Sequence, residues 1–375
     1  MLFNNYSRHQ PIIRLILNGC LIFVVAATAG VVYAETPSGQ EPSPADLEKA
    51  RKSVAVTVET LDQMTQLQGG IGSLPNVPIS ANNPQTDAKI ELGKMLFFDK
   101  RLSGNNTISC STCHDPEKGY ADGRPRAMGF GGKELGRHSP TVLNAAYNGP
   151  QFWDGRAVSL EDQAEKPIEA TVEMNLPREV MVGRLSSIPE YKKRFHDVFG
   201  EEPSLSNVAK AVAAFERTIV TPDSPFDRYA RGDKQALSIQ EKKGLVLFMS
   251  KAACSQCHNG PNFTDNQFHV IGIPQQGPLQ EDLGRYSVSK DEKDKGAFKT
   301  PTLRNIALTA PYTHDGAFQT LDEVVEFYNQ GGGSVSNKSP KILKLHLTRQ
   351  EKADLVAFLK SLNGKLPVVA MPRLP

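Results

Sequence analysis

The sequence predicts a mainly α-helical chain of two domains related by internal duplication, and three observations carry that prediction. Two Cys-x-x-Cys-His segments occur, Cys110-Ser-Thr-Cys113-His114 and Cys254-Ser-Gln-Cys257-His258. Each follows the same lead-in, Gly93-x-x-Leu96-Phe97-x-x-Lys100 before the first and Gly244-x-x-Leu247-Phe248-x-x-Lys251 before the second. Beyond them a constant offset of 161 residues pairs Pro140-Thr141 and Asn144 with Pro301-Thr302 and Asn305, Asp154-Gly155 with Asp315-Gly316, and Ser159-Leu160 with Thr320-Leu321. One such match means nothing, but an offset held three times marks a repeat.

The first element in chain order is a leader over residues 1–34. It carries Arg8 and Arg14, a mostly apolar run over 15–32, and small residues at Val32 and Ala34 where a signal peptidase reads. Cleavage after Ala34 would leave 341 of the 375 residues. An uncleaved anchor is the alternative, disfavoured by Asn18, Gly19 and the small-residue exit, and too little apolar sequence precedes Cys20 for lipid attachment. Lys plus Arg number 43 against 41 Asp plus Glu, and both surplus charges are the leader arginines, so no broad basic face for nucleic acid is implied. With 39% hydrophobic and 22% charged residues, the composition excludes a disordered chain, a collagen-like repeat and a multi-span membrane protein. No stable membrane span is expected once the leader is removed.

Residues 35–84 read as an N-terminal extension: a linker over 37–44, a helix over 45–66, and a Gly/Pro/Asn-rich extended segment over 69–84. The two domains are expected at 85–235 and 236–375. Helix starts are marked by Ser159-x-x-Asp162, Ser238-x-x-Glu241, Thr320-x-x-Glu323 and Thr348-x-x-Glu351, the last helix closing at Gly364.

Without the leader, the remaining cysteines are Cys110, Cys113, Cys254 and Cys257, and every one belongs to a Cys-x-x-Cys-His segment. An exported chain would ordinarily spend cysteines on disulfides, yet none is left over. The pattern points to two covalently attached c-type haems, with the thiols adding to the vinyl groups and His114 and His258 as proximal iron ligands. A single four-cysteine zinc site would leave the 140 intervening residues and both histidines unexplained. A thioredoxin-like redox pair would need a βαβ context, which neither motif has.

After Asp315-Gly316, Leu321, Val324, Val325 and Tyr328 fall at helical spacing, so Tyr328 points with the apolar face before Gly331-Gly332-Gly333 ends the helix. The 161-residue offset places Pro167 opposite Tyr328. If this segment covers the distal side, one half offers iron a phenolic oxygen and the other a side chain that cannot ligate. Spacing alone reads Tyr328 equally as a core tyrosine with its hydroxyl satisfied by a neighbour.

Over about residues 85–364 the chain resembles the bacterial diheme cytochrome c peroxidases, and within them the MauG-type enzymes. The resemblance rests on both Cys-x-x-Cys-His motifs, on Gln151-Phe152-Trp153-Asp154-Gly155-Arg156 with Gln163, Pro167 and Glu173, on Lys299-Thr300-Pro301-Thr302-Leu303-Arg304-Asn305, and on Thr309-Ala310-Pro311-Tyr312 with His314-Asp315-Gly316. It implies two cytochrome c-like haem domains. The haem on His114 would react with hydrogen peroxide, with Gln163, Pro167 and Glu173 on its open side, and the haem on His258 would store and relay electrons. Trp153 would bridge them, and a calcium ion would bind through the carbonyls of Thr309, Pro311 and His138. Tyr328 stands where conventional peroxidases carry a methionine, as in the MauG-type branch. Phe130 stands where they carry a histidine that blocks the first haem, so an open iron without reductive activation is expected. His138 stands where an asparagine is usual.

Splitting peroxide needs a group that both accepts and donates a proton, a role Glu173 fits, whereas Gln163 can only orient by hydrogen bonding. Read without the resemblance, the two belong to a solvated helix face and Trp153, the only tryptophan, to the core. Anionic oxygen ligation through Tyr328 should favour the higher oxidation states of the second iron. His196, His269 and His346 read as surface or core residues, and His314, the repeat equivalent of Trp153, as a supporting residue near the His258 haem. The expected function is a periplasmic enzyme that reacts with peroxide and holds the oxidising power in a high-valent diheme state. It would then oxidise a partner protein or take electrons from a small redox protein. A diheme electron carrier without catalysis is the alternative.

Overall fold

The computed structural model describes residues 57–64 and 66–375, with the backbone alone of two paired antiparallel strands, β1 (Ile13–Leu17) and β2 (Cys20–Val24). The cleavage position after Ala34 and the linker over 37–44 lie outside the described residues. The fold is mainly helical. Its longer helices are α1 (Asp87–Phe98), α2 (Leu160–Glu169), α3 (Arg178–Ser186), α4 (Pro189–Phe199), α5 (Leu205–Glu216), α6 (Ile239–Met249), α7 (Leu321–Asn329) and α8 (Arg349–Ser361). A two-residue pairing of β3 (Phe268–His269) with β4 (Phe298–Lys299) is the remaining sheet among the described residues. No helix of the described residues is long and apolar enough to cross a membrane.

The duplication is visible as packing. In the first half α1 crosses α5, and in the second α6 crosses α8. Both crossings pivot on the lead-in glycine: a Cβ at Gly93 would come within 1.8 Å of the Ala211 carbonyl oxygen, and one at Gly244 within 2.0 Å of the Asp354 carbonyl oxygen. Phe97 and Phe215 meet edge-on at the first crossing, Phe248 and Phe358 in a tilted pair at the second. Two buried apolar clusters follow, one formed by α1, α2 and α5 with Met181 and Leu185 of α3 and Tyr191 and Phe195 of α4, the other between α6, α7 and α8.

The paired loop motifs adopt the same local structure. Asn144 and Asn305 both sit in the left-handed region at φ 59°. The Thr141 hydroxyl donates to the Gly119 carbonyl and the Thr302 hydroxyl to the Asn262 carbonyl. The two asparagines meet at Thr221, whose hydroxyl accepts from the Asn144 amide (2.9 Å) and donates to Asn305 Oδ1 (2.6 Å). All three residues are buried. The halves are therefore joined at equivalent points of the repeat.

The helix starts read from sequence are capped as expected: Ser238, Thr320 and Thr348 form reciprocal capping boxes, and the Ser159 hydroxyl accepts from the Asp162 amide. The helix expected over 45–66 is shorter. Its described part is Val58–Gln63, capped by Thr57 through Thr60, and Met64 has already turned extended. The segment over 66–84 is not a passive spacer. Leu67 and Ile71 are buried in the second cluster, whereas the Asn83 amide donates to the Lys210 carbonyl on α5.

Candidate haem sites

Each Cys-x-x-Cys-His segment forms one tight turn in which the His N–H donates to the carbonyl of the first cysteine, His114 to Cys110 and His258 to Cys254, both at 2.9 Å. The turn brings both sulfurs and the imidazole to one wall of a cavity. Cys110, Cys113 and His114 line a cavity of about 430 Å³, and Cys254, Cys257 and His258 line a second of about 260 Å³. The four cysteines form no disulfide and are divided between the two cavities, which excludes a common zinc site.

The imidazoles are set for iron. His114 Nδ1 lies 3.3 Å from the Tyr120 carbonyl and His258 Nδ1 3.1 Å from the Phe263 carbonyl, so Nδ1 holds the proton and Nε2 is left as the donor. Burial depresses both pKa values, that of His258 to about 4, and favours the neutral ring a metal needs. Burial also pushes Cys110 up to about 12 and Cys113 to about 11. That is opposite in sign to the shift a thiol-disulfide redox pair needs. The donor sets and cavities fit haem c.

Gln163 and Pro167 reach the first cavity from α2, and Glu173 reaches it from the loop that follows. Pro167 lies inside the helix, α2 ends two residues later, and the chain turns back with the Met174 N–H donating to the Pro167 carbonyl (3.1 Å), which presents Glu173. Burial raises the Glu173 pKa, opposed by Arg156, whose Nη2 lies 3.8 Å from Oε1. Arg156 also pairs with Asp154 at 3.1 Å and lies over the Phe152 ring at 3.5 Å. Arg156 stood in the sequence motif without a role; it follows a turn with two left-handed residues, Phe152 at φ 67° and Gly155 at φ 68°. Phe130 packs against the first apolar cluster, clear of the cavity wall.

In the second cavity, the 161-residue offset holds in three dimensions. Val324 and Tyr328 of α7 line the wall where Gln163 and Pro167 line the first. Burial, reinforced by the Cys257 and Cys254 sulfurs, raises the Tyr328 pKa, so a nearby cation is needed for the phenol to ionise. Trp153 lines both cavities. Its indole N–H donates to the His138 carbonyl (2.9 Å) and its own carbonyl accepts from the Lys299 N–H (2.8 Å). His314 lines the second cavity, stacked on Phe298 at 3.6 Å and edge-on to Trp153 at 6.5 Å; burial lowers its pKa to about 4. Thr309, Pro311 and His138 also line the second cavity, the His138 carbonyl already serving Trp153.

His269 reads from sequence as an ordinary residue, yet it lines the second cavity and pairs with Asp265 at 2.9 Å. Burial is the largest effect and works against its charge, but the hydrogen bonds and charges of Asp265 and Cys257 together outweigh it and lift the pKa to about 9. The Cys257, Asp265 and His269 donor atoms converge within 4.8 Å, but thioether formation at Cys257 takes its sulfur out of any thiolate metal site.

Comparison with known proteins agrees with this architecture. Residues 87–235 match the family model for di-haem cytochrome c peroxidase, and 241–363 that for cytochrome c. The chain is 41% identical over 329 residues to cytochrome-c peroxidase IdrP1 of Pseudomonas sp. (strain SCT), covering 80% of this chain and 87% of that protein. It is also 41% identical over 302 residues to the methylamine utilization protein MauG of Methylorubrum extorquens, covering 80% and 85%. Among solved structures, a MauG-like protein associated with microbial copper homeostasis superposes with a TM-score of 0.72 at 34% identity, over 78% of this chain and 94% of that one. With two cavities that each present a Cys-x-x-Cys-His turn, and with these relatives over four-fifths of its length, the chain belongs to the di-haem cytochrome c peroxidase family and is a diheme oxidoreductase.

Proposed function

We propose that the protein is a MauG-type, peroxide-reactive oxidoreductase in which the cavity at His114 stays open to substrate and the haem at His258 is capped by Tyr328. The observation that carries this reading is the exchange of Pro167 for Tyr328 at equivalent places on two cavity walls. A proline has no donor to offer, and a tyrosine offers an oxygen. When bound, the haems supply iron that accepts peroxide in one cavity and stores an oxidising equivalent in the other.

This chain's own residues handle the protons and the path. Splitting hydrogen peroxide requires a proton to be taken from one oxygen and given to the other, which leaves as water. The Glu173 carboxylate accepts the first proton and returns it. Arg156, at 3.8 Å, holds the carboxylate in place. The Gln163 amide orients the peroxide. Trp153, on both walls, carries electrons between the haems. The two electrons that peroxide takes are restored by a periplasmic redox protein or drawn from a partner protein being oxidised. The leader places the protein in the periplasm, and a calcium ion bound by the Thr309, Pro311 and His138 carbonyls braces the ground around Trp153.

Mixing the ferric holoprotein with hydrogen peroxide tests the activity: both haem spectra are expected to change within seconds, whereas a carrier with two closed irons would not respond. N-terminal sequencing of periplasmic protein is expected to begin at Glu35, and metal analysis to find one calcium per chain.

A further inference from the structure

Besides Glu173 and the arginine-paired Asp154, the first cavity is lined by a third carboxyl, Glu216, that the peroxide chemistry above does not use. We propose that Glu216 holds a proton against the first haem and releases it when that haem is oxidised, through a carboxyl that the second half lacks at the equivalent position. Glu216 ends α5, is 3% exposed, and lines the cavity one turn beyond Val212. Its Oε2 is buried with no hydrogen-bond partner. The glycine crossings fix its counterpart. Ala211 and Phe215 pack on Gly93 as Asp354 and Phe358 pack on Gly244, so Glu216 corresponds to Leu359, which lines the second cavity. One repeat puts a carboxyl where the other puts a hydrocarbon.

The groups around Glu216 leave it neutral. Burial is the largest effect and lifts its pKa to about 8. Arg217 opposes that shift, but its guanidinium lies 2.7 Å from Glu161 of α2, whose charge works the other way. Cys110, on the haem motif, becomes an uncharged thioether on attachment. From α1, Lys89 is spent on the Asn83 side chain and the Pro84 carbonyl.

An unpaired carboxyl is the group most responsive to a new charge in a low-dielectric cavity. Oxidation of the iron by one electron, taken by an external acceptor, adds one positive charge. The Glu216 O–H bond then breaks and its proton goes to solvent, so the cavity's net charge is unchanged. The carboxyl pKa is lower beside oxidised iron than beside reduced iron. Between the two values the first-haem potential falls as pH rises, and outside them it is flat.

The inference rests on a haem being held by Cys110, Cys113 and His114, which the mass of the holoprotein tests separately. The test is an optical redox titration of the wild type, Glu216→Gln and Glu216→Leu holoproteins across about pH 6 to 9. The leucine variant copies the second half and should fold. The wild-type first-haem potential is expected to fall with pH, and both variants to lose that slope without change at the second haem. A wild type with no slope, or the same slope in all three, overturns the proposal. Redox-difference infrared spectra of the wild type add a reading that needs no variant: loss of a protonated carboxyl band is expected on oxidation of the first haem, and its absence overturns the proposal.

Discussion

In the proposed function two side chains, Tyr328 and Glu173, set the difference between the cavities. Replacing Tyr328 with phenylalanine keeps the ring packed on α7 but removes the oxygen, so the low-spin signal of the second haem is expected to disappear from the optical and electron paramagnetic resonance spectra. An unchanged signal would mean that another group caps that iron. Glu173→Gln is expected to slow the reaction with peroxide by about 10²–10⁴-fold while leaving haem content intact. The pH dependence has a definite sign. Glu173 must be ionised to accept a proton, and burial holds its pKa above the usual carboxylate range. The wild-type rate should therefore climb as pH rises through that raised value, whereas the glutamine variant should show no such limb in stopped-flow measurements. Tyr328 was legible through the repeat, which aligns it with Pro167, and through the family resemblance, which sets it where other members carry methionine. Arg156 and His269 were not, since Arg156 approaches Glu173 from a separate turn and the pairing of His269 with Asp265, four residues earlier, falls outside any helix.

The helices were legible where a cap and a period coincide, as at Ser238, Thr320 and Thr348. They were over-read where only composition spoke: the stretch before Gln66 has helix-forming residues but no stop signal, and Met64 breaks it. The lead-in glycines were visible as a repeated letter, but their reason appears only in the packing. Alanine is the better helix former by about 0.8–1.0 kcal/mol. At Gly93 its Cβ would nevertheless enter the Ala211 carbonyl, which a backbone crossing cannot yield cheaply. Gly93→Ala and Gly244→Ala are each expected to destabilise the holoprotein by about 1–3 kcal/mol, read from denaturant unfolding. Equal or greater stability in either variant would contradict the crossing.

Across the whole molecule, the halves are tied by interactions that no local pattern encodes. The Arg304 and Asp227 side chains form a fully buried two-point ion pair at 2.9 and 3.0 Å. Arg137 of the first half grips Asp282 of the second at 2.7 Å through both Nε and Nη2. The C-terminal tail, featureless in sequence, lays Leu366 and Val369 against the first apolar cluster. Trp153, lining both cavities, is held by the His138 carbonyl of the first half and the Lys299 N–H of the second. Trp153→Phe keeps an aromatic core but removes the hydrogen bond to His138, and it is expected to uncouple the haems. After peroxide addition the first spectrum should change promptly and the second should lag, whereas simultaneous changes would remove Trp153 from the path. The central claim, that a doubled scaffold keeps one iron open and caps the other with tyrosine, is tested most directly by low-temperature electron paramagnetic resonance of the resting ferric holoprotein. One high-spin and one low-spin haem are predicted; two low-spin signals would contradict the account.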